Sequence, residues 1–181
     1  MNRKGWLLLS LALLGLLCAH LHPQYRVTVE GASLPGTYSA AALRRGQEAA
    51  EEAAEEILRY AAKLPTVERR LRLSFSPAGD DTPALTAALL RCVSGVTLSD
   101  AVSVNGIRLG TVSDGDRFCE LLRVSILAQM PGSAVSGNIS GRLELQRVYT
   151  RSDADTDDGD MVLLVTGMAP VIYLDGKGKL V

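Results

Sequence analysis

The chain contains two histidines, and a search for catalytic chemistry starts with them. His20 and His22 have the H-x-H spacing of a zinc-binding pair, but no third ligand or acidic partner accompanies them. No histidine follows, so the rest of the chain lacks the base of a serine or cysteine triad and the usual ligand of a zinc hydrolase. The sequence therefore predicts no catalytic, cofactor-binding or metal-binding residue, no cofactor, and a protein that is not an enzyme.

Acidic and glycine-rich stretches are weaker candidates. Residues 153–160 resemble a calcium loop, but the glycine comes one position late and Leu164 stands where a bidentate glutamate is needed. We interpret this stretch as a solvated linker. A glycosidase-type carboxylate pair would have to be assembled by folding, from residues such as Glu120 and Glu144. Residues 176–179 lack the strand, loop and helix of a phosphate-binding loop, so none of these patterns specifies an active site.

The cysteines allow two interpretations. Cys18 falls in an apolar N-terminal segment, which leaves Cys92 and Cys119 as the pair available to the remainder of the chain. Each has apolar neighbours, which favours two buried free thiols, and a disulfide is the alternative. The sequence does not decide whether they pair.

The N-terminal segment predicts export. Arg3 and Lys4 precede the apolar residues 6–19, an arrangement typical of a secretory signal or a membrane anchor. Extended to residue 21, the run approaches the length of a membrane helix, so we expect residues 6–21 to form an uncleaved, single-pass signal-anchor in the cell membrane. The remainder is then extracytoplasmic. The alternatives are a cleaved signal, which makes the protein secreted, and lipidation at Cys18.

A β-hairpin is the clearest structural signal in the chain. Asn105 and Gly106, which favour a type I′ turn, lie between two runs of alternating apolar residues within 102–112. The same pattern occurs at 27–34, with Gly31 in place of Gly106, so the chain looks like an internal repeat. A helix and a strand are predicted after each hairpin, at 39–64 and 71–75 in the first copy and at 113–130 and 142–145 in the second, with residues 70–73 matched to 142–145.

These elements predict an α+β fold with an N-terminal membrane helix, two β-hairpin–helix–strand modules and a C-terminal β-hairpin. Gly46 is a mild weakness in the first long helix, and residues 161–165 are predicted to form a buried strand. The expected divisions are 1–24 for the signal or anchor, 25–100 for the first module with a short helix, 101–150 for the second module, 151–160 for the acidic linker and 161–181 for the C-terminal strands.

Composition limits the partners. Hydrophobic residues make up 47% of the 181 residues, enough for a core, whereas aromatic residues make up only 4% and the formal net charge is -1. The chain therefore has neither a general positive field nor many stacking surfaces for bases. We expect no nucleic-acid partner.

A family resemblance is carried by the basic N-terminus, the apolar segment and the two strand motifs Tyr25-Arg-Val-Thr-Val-Glu-Gly and Val102-Ser-Val-Asn-Gly-Ile-Arg-Leu-Gly. Over residues 1–150 the chain resembles the membrane-proximal, non-catalytic region of Gram-positive cell-envelope proteins that end in lysostaphin-type peptidoglycan metallopeptidase domains. The resemblance implies a wall-facing, peptidoglycan-associated location. The zinc ligands of that family have no matching positions here, and the catalytic domain is not expected in this chain.

Together these observations favour a non-enzymatic, membrane-tethered extracytoplasmic scaffold or interaction module of the bacterial cell envelope, with a cell-wall or envelope protein as partner. The alternative is a truncated or partner-dependent subunit of a peptidoglycan hydrolase. A substrate-binding module is a third hypothesis, for which the sequence offers no polar cluster. The partner, the ligand and the oligomeric state are not specified by the sequence.

Overall fold

The computed structural model describes Leu11, Gly15 and residues 20–181. Residues 20–181 form four helices and eight strands in the order ββαβαββαββαβ, so the α+β class agrees with the sequence prediction. The chain divides into two units, Met1–Ser94 and Gly95–Val181. The module expected at residues 101–150 therefore belongs to a longer unit that includes the C-terminal residues.

The first unit contains a three-stranded antiparallel sheet and two helices. Its elements are β1 (His22–Val29), β2 (Ala32–Ser33), α1 (Ala40–Leu58), β3 (Val67–Ser74) and α2 (Thr82–Arg91). The sheet order is β2-β1-β3, which makes β3 an edge strand. Glu30 and Gly31 connect β1 to β2 with φ angles of 49° and 81°, the positive values of a type I′ turn.

The core of the first unit is supplied by one face of β1 and by both helices. Ser39 caps α1 by accepting a hydrogen bond from the Ala42 N–H at 3.0 Å, and Asp81 caps α2 by accepting one from the Ala84 N–H at 3.1 Å. The apolar positions of the two helices then face inward at helical spacing. The buried apolar side chains include Val27, Val29, Leu43, Ala50, Ala54, Leu58, Leu85 and Leu89.

The second unit contains two antiparallel sheets and two helices. Its elements are β4 (Val96–Val104), β5 (Ile107–Val112), α3 (Gly115–Ala128), β6 (Ser136–Ile139), β7 (Leu143–Arg151), α4 (Asp158–Met168) and β8 (Val171–Leu174). One sheet has the order β5-β4-β7, and β6 pairs with β8 in the other. Asn105 and Gly106 have φ angles of 53° and 80°, so the type I′ turn between β4 and β5 is present.

An apolar cluster joins the strands of the second unit to its two helices. Asp114 starts α3 by accepting hydrogen bonds from the N–H groups of Asp116 and Arg117, at 3.0 and 3.1 Å. Phe118, on the first turns of α3, is fully buried between this helix and the strands. The cluster consists of Val102, Val104, Val112, Phe118, Leu122, Ile126, Ile139, Met161, Val162, Val165 and Ala169.

The two units share one plan, in which a hairpin and a helix precede a strand that pairs with the first strand, and a second helix follows. The second unit adds β6 before that strand and β8 after the last helix. Corresponding buried positions are Val27 and Val102, Val29 and Val104, Leu43 and Phe118, Leu85 and Met161, and Leu89 and Val165. The strand match between residues 70–73 and 142–145 is wrong, because Val27 lies opposite Arg69 whereas Val102 lies opposite Leu145. Arg69 therefore corresponds to Leu145.

The C-terminal part differs from the prediction. Residues 161–165, expected to form a strand after an acidic linker at 151–160, lie in helix α4. The carboxylate of Asp157 caps this helix by accepting a hydrogen bond from the Gly159 N–H at 2.8 Å. Strand β8 pairs with β6, and the expected terminal hairpin is reduced to a bridge between Leu174 and Leu180.

The structure contradicts the N-terminal membrane helix and the single-pass membrane localisation derived from it. Across Leu11, Gly15 and residues 20–181, no helix is long and apolar enough to cross a bilayer. The longest described helix, α1, carries arginines and glutamates along its length, and His22 begins β1 opposite Ser74. The rest of the predicted segment, residues 6–10, 12–14 and 16–19, lies outside the described residues.

Candidate functional site

The histidines and aspartates singled out in the sequence occupy structural positions. His20 lies in a turn before β1, and His22 is the first residue of β1. Asp153 forms an ion pair with Arg151 at 2.8 Å, and Asp158 forms one with Arg117 at 3.2 Å. Within Leu11, Gly15 and residues 20–181, no group of three or more histidine, cysteine, aspartate and glutamate side chains could hold a metal ion.

The two glutamates considered as a carboxylate pair each contact a neighbouring arginine. Glu120 lies 3.8 Å from Arg123 on the same helix, and Glu144 lies 2.8 Å from Arg142. All four side chains are well exposed, so these contacts are surface ion pairs that contribute little to stability. The structure gives each glutamate its own partner on the surface.

Both described cysteines are free thiols. Cys92 is exposed, contrary to the expected burial, whereas Cys119 is partly buried in the second unit. Cys119 helps to line a groove of about 320 Å³ between α3 and β6, together with Leu122, Ile126 and Leu143. Burial, and to a lesser degree the carboxylates of Asp116 and Asp100, raise the pKa of the Cys119 thiol.

We expect iodoacetamide to alkylate Cys92 faster than Cys119 at neutral pH. The thiolate is the nucleophile, and burial together with the nearby carboxylates keeps Cys119 in the protonated form. Timed alkylation of the folded protein followed by peptide mass spectrometry measures both rates. In denaturant the two cysteines should react at similar rates, and a Cys119 that reacts as fast as Cys92 in the folded protein would contradict this expectation.

An unpaired sheet edge is the first component of the candidate site. Among the strands that the structure describes, β3 lies at the outside of its sheet and pairs with β1 alone. Tyr25 of β1 exchanges two backbone hydrogen bonds of 2.9 Å with Tyr38, and the carbonyl of Val27 accepts one from Leu34, also at 2.9 Å. The odd-numbered residues of β1 therefore direct their backbone groups away from β3, and its even-numbered residues direct theirs toward β3.

This alternation fixes which backbone groups of β3 are available. The even-numbered residues of β3 lie opposite the even-numbered residues of β1, in the pairs Gln24–Arg72, Arg26–Arg70 and Thr28–Glu68. These residues bond inward, so the N–H and C=O groups of Arg69, Leu71 and Leu73 point to the outer edge. Such a row can pair with another extended chain.

An apolar row runs along the same edge. Leu71, Leu73 and Phe75 are 61%, 60% and 62% exposed. Alternation places Leu71 and Leu73 on one face of β3, and Phe75 follows just after the end of the strand. Large apolar side chains with this degree of exposure, next to unpaired backbone groups, are characteristic of a surface that binds another chain. The sequence predicts a strand here, but it does not indicate that the described residues of the first unit leave the apolar face of this strand uncovered.

The second unit shows that the shared fold does not require this apolar row. By the strand registers, Leu71 and Leu73 correspond to Arg147 and Tyr149 of β7, and the same sequence offset matches Phe75 to Arg151. Arg147 lies 3.6 Å from Asp100, and Arg151 lies 2.8 Å from Asp153. The apolar row is therefore specific to the first unit.

A cluster of arginines covers the other face of β1 and β3. Arg26 lies directly opposite Arg70, and Arg72 is the next residue of β3 on the same face. All three are exposed, and among the described residues none of their guanidinium groups has a hydrogen bond or ion pair. Like charges directly opposite in a sheet are destabilising, so this arrangement lowers the stability of the free protein.

The candidate site thus combines three features. They are the outward backbone groups of β3, the apolar row along β3, and the basic face that β3 shares with β1. Comparison with protein families, curated proteins and solved structures finds no match to the chain.

Proposed function

We propose that this protein is a non-enzymatic interaction module that binds a partner protein by adding a strand of the partner to the outer edge of β3. The observation that carries the proposal is the coincidence of two features on the same residues. Leu71 and Leu73 direct their backbone groups to the open edge and also expose their side chains. A partner strand would use both features at once.

Edge protection elsewhere in the protein supports the proposal. In the second unit, the edge of β5 is covered by its own chain, because the Thr156 N–H donates to the Thr111 carbonyl at 2.8 Å and the Thr111 hydroxyl donates to the Ala154 carbonyl at 3.3 Å. Proteins usually protect edges by such coverage, by charge or by proline. In β3, two of the residues whose backbone groups point outward, Leu71 and Leu73, carry exposed apolar side chains instead, although Arg69 adds one charge to this edge.

Both the outward backbone groups and the apolar row would contribute to the free energy of strand addition. Backbone hydrogen bonds to a partner supply affinity with little dependence on sequence, and apolar side chains supply specificity. Burial of exposed apolar surface contributes about 25 cal/mol per Å². The exposed apolar side chains of Leu71, Leu73 and Phe75 therefore add a sequence-dependent gain to the backbone hydrogen bonds.

Peptide binding to edge variants tests the proposal. The probe is a fluorescent peptide of the length of β3 that alternates valine and threonine, and its N-methylated form is the control that cannot donate the edge hydrogen bonds. We expect the unmodified peptide to bind the full-length protein and N-methylation to weaken binding by roughly tenfold or more. Equal binding of the two peptides, or no binding of either, would overturn strand addition.

Two substitutions locate the binding edge. Leu71→Pro removes an outward N–H without breaking the ladder to β1, and Leu73→Lys charges the apolar row, so each should reduce peptide binding by roughly tenfold with little loss of stability. Leu163→Lys is the matched control, since Leu163 is 70% exposed on α4. Circular dichroism verifies folding, and full binding by the two β3 variants would exclude this edge as the site.

A further inference from the structure

We infer that the strand recognised by β3 carries acidic side chains at alternate positions, so that one of its faces is apolar and the other is negatively charged. This inference rests on the proposed function and specifies its partner. It derives from the arginine face of the same two strands. The face consists of Arg26, Arg70 and Arg72, with Glu68 as the one carboxylate that β1 and β3 place there.

The register of strand pairing determines where the partner's charges lie. Residues opposite each other in neighbouring strands point to the same face, with Cβ atoms about 4.5–5.5 Å apart. A residue of the partner opposite Arg70 or Arg72 therefore lies on the basic face, and a residue opposite Leu71 or Leu73 lies on the apolar face. A strand that alternates acidic and apolar residues satisfies both faces.

The arginines favour a partner strand that carries carboxylate side chains. A carboxylate can accept two parallel hydrogen bonds from one arginine. Arg26 and Arg70 lie on neighbouring strands with no carboxylate between them, so an acidic side chain from a third strand would relieve a repulsion that the free protein retains. Arg26 also lines a depression with Ser33 and residues 34–37, which leaves room beside its side chain.

A second copy of this chain satisfies the edge less well than an acidic strand. If two β3 strands paired antiparallel about Leu71, Arg70 of one copy would lie opposite Arg72 of the other. A shift by one residue would place the arginines of one copy on the apolar row of the other. Because β3 has Glu68 as its one carboxylate on the basic face, no register of two β3 strands puts a carboxylate opposite both Arg70 and Arg72.

Three peptides test the inference on the full-length protein. Each has the length of β3 and alternates valine with glutamate, threonine or lysine. We expect the glutamate peptide to bind at low ionic strength roughly tenfold or more tightly than the threonine peptide, and the lysine peptide to bind most weakly. The advantage of glutamate should shrink as salt is added.

Arginine variants identify the responsible face. Arg70→Gln combined with Arg72→Gln should bring the affinity ratio of the glutamate and threonine peptides close to one while threonine-peptide binding persists. The control Arg108→Gln removes an exposed arginine from β5 and should leave the ratio unchanged. Retention of the full ratio in the double variant would contradict the assignment to this face.

The outcomes separate this inference from the proposed function. Binding of the threonine and glutamate peptides with equal affinity would overturn the acidic partner and leave strand addition intact, whereas no binding of any peptide would overturn both. A single-stranded oligonucleotide is included as a competitor. If it binds the arginine face and N-methylation of the glutamate peptide has no effect, the face recognises phosphates and the acidic-strand inference is wrong.

Discussion

Met161→Ala should lower the free energy of unfolding by about 2–5 kcal/mol, the range for truncating a large buried apolar side chain to alanine. Met161 is 0% exposed and belongs to the core cluster of the second unit. Its terminal methyl also covers Gly110, where an added Cβ would lie 2.9 Å from the Met161 Cε. Truncation therefore opens a cavity between α4 and β5 that the rigid strand cannot readily close.

Chemical denaturation of the full-length protein measures this effect through the transition assigned to the second unit. Met168→Ala is the matched control, because Met168 lies on the same helix but is 45% exposed, and we expect a change within about 0.5 kcal/mol. Equal losses in the two variants would show that α4 does not pack as the structure describes.

The role of Met161 was hidden from the sequence for a physical reason. Residues 161–165 are a continuous apolar run, and such a run lacks the periodicity that distinguishes a buried helix from a buried strand. The repeat itself contained the missing information. Asp81 and Leu85 of α2 correspond to Asp157 and Met161 of α4, so extending the repeat beyond the strand would have predicted a capped helix here.

The turns were predictable because their determinants are local. Asn105 and Gly106 adopt the positive φ angles that a two-residue hairpin needs, and Glu30 and Gly31 do the same in the first unit. Glycine and asparagine tolerate positive φ best, so Asn105 and Gly106 specify their turn directly, whereas Glu30 and Gly31 specify theirs more weakly.

The candidate site was not predictable in the same way. The alternation of Leu71, Leu73 and Phe75 with polar residues identifies a strand with two unlike faces, but coverage of the apolar face depends on where the helices end. The opposition of Arg26 and Arg70 depends on the register between β1 and β3, which the sequence patterns do not specify. Both components of the site are tertiary properties.

Gly46→Val should destabilise the first unit by about 1–3 kcal/mol through overpacking. The sequence suggested that Gly46 merely weakens α1, but the structure places it at the contact with α2. A Cβ at this position would lie 2.6 Å from the Leu85 Cδ2 and 3.0 Å from its Cγ, and Leu85 is 0% exposed. The Thr86 hydroxyl also donates a hydrogen bond to the Gly46 carbonyl at 3.3 Å.

Gly46→Ala and Gly167→Ala distinguish close packing from helix propensity. Alanine is favoured over glycine within a helix by roughly 0.8–1 kcal/mol, and a Cβ at Gly167, near the end of α4, meets nothing within 4 Å. Gly167→Ala should therefore raise the free energy of unfolding by between a few tenths and about 1 kcal/mol. At Gly46 the same change must displace the buried Leu85 side chain, so we expect a net loss. Denaturant titration of both variants shows whether each change raises or lowers the free energy of unfolding. A stabilised Gly46→Ala protein would show that α1 and α2 are not in the close contact the structure describes.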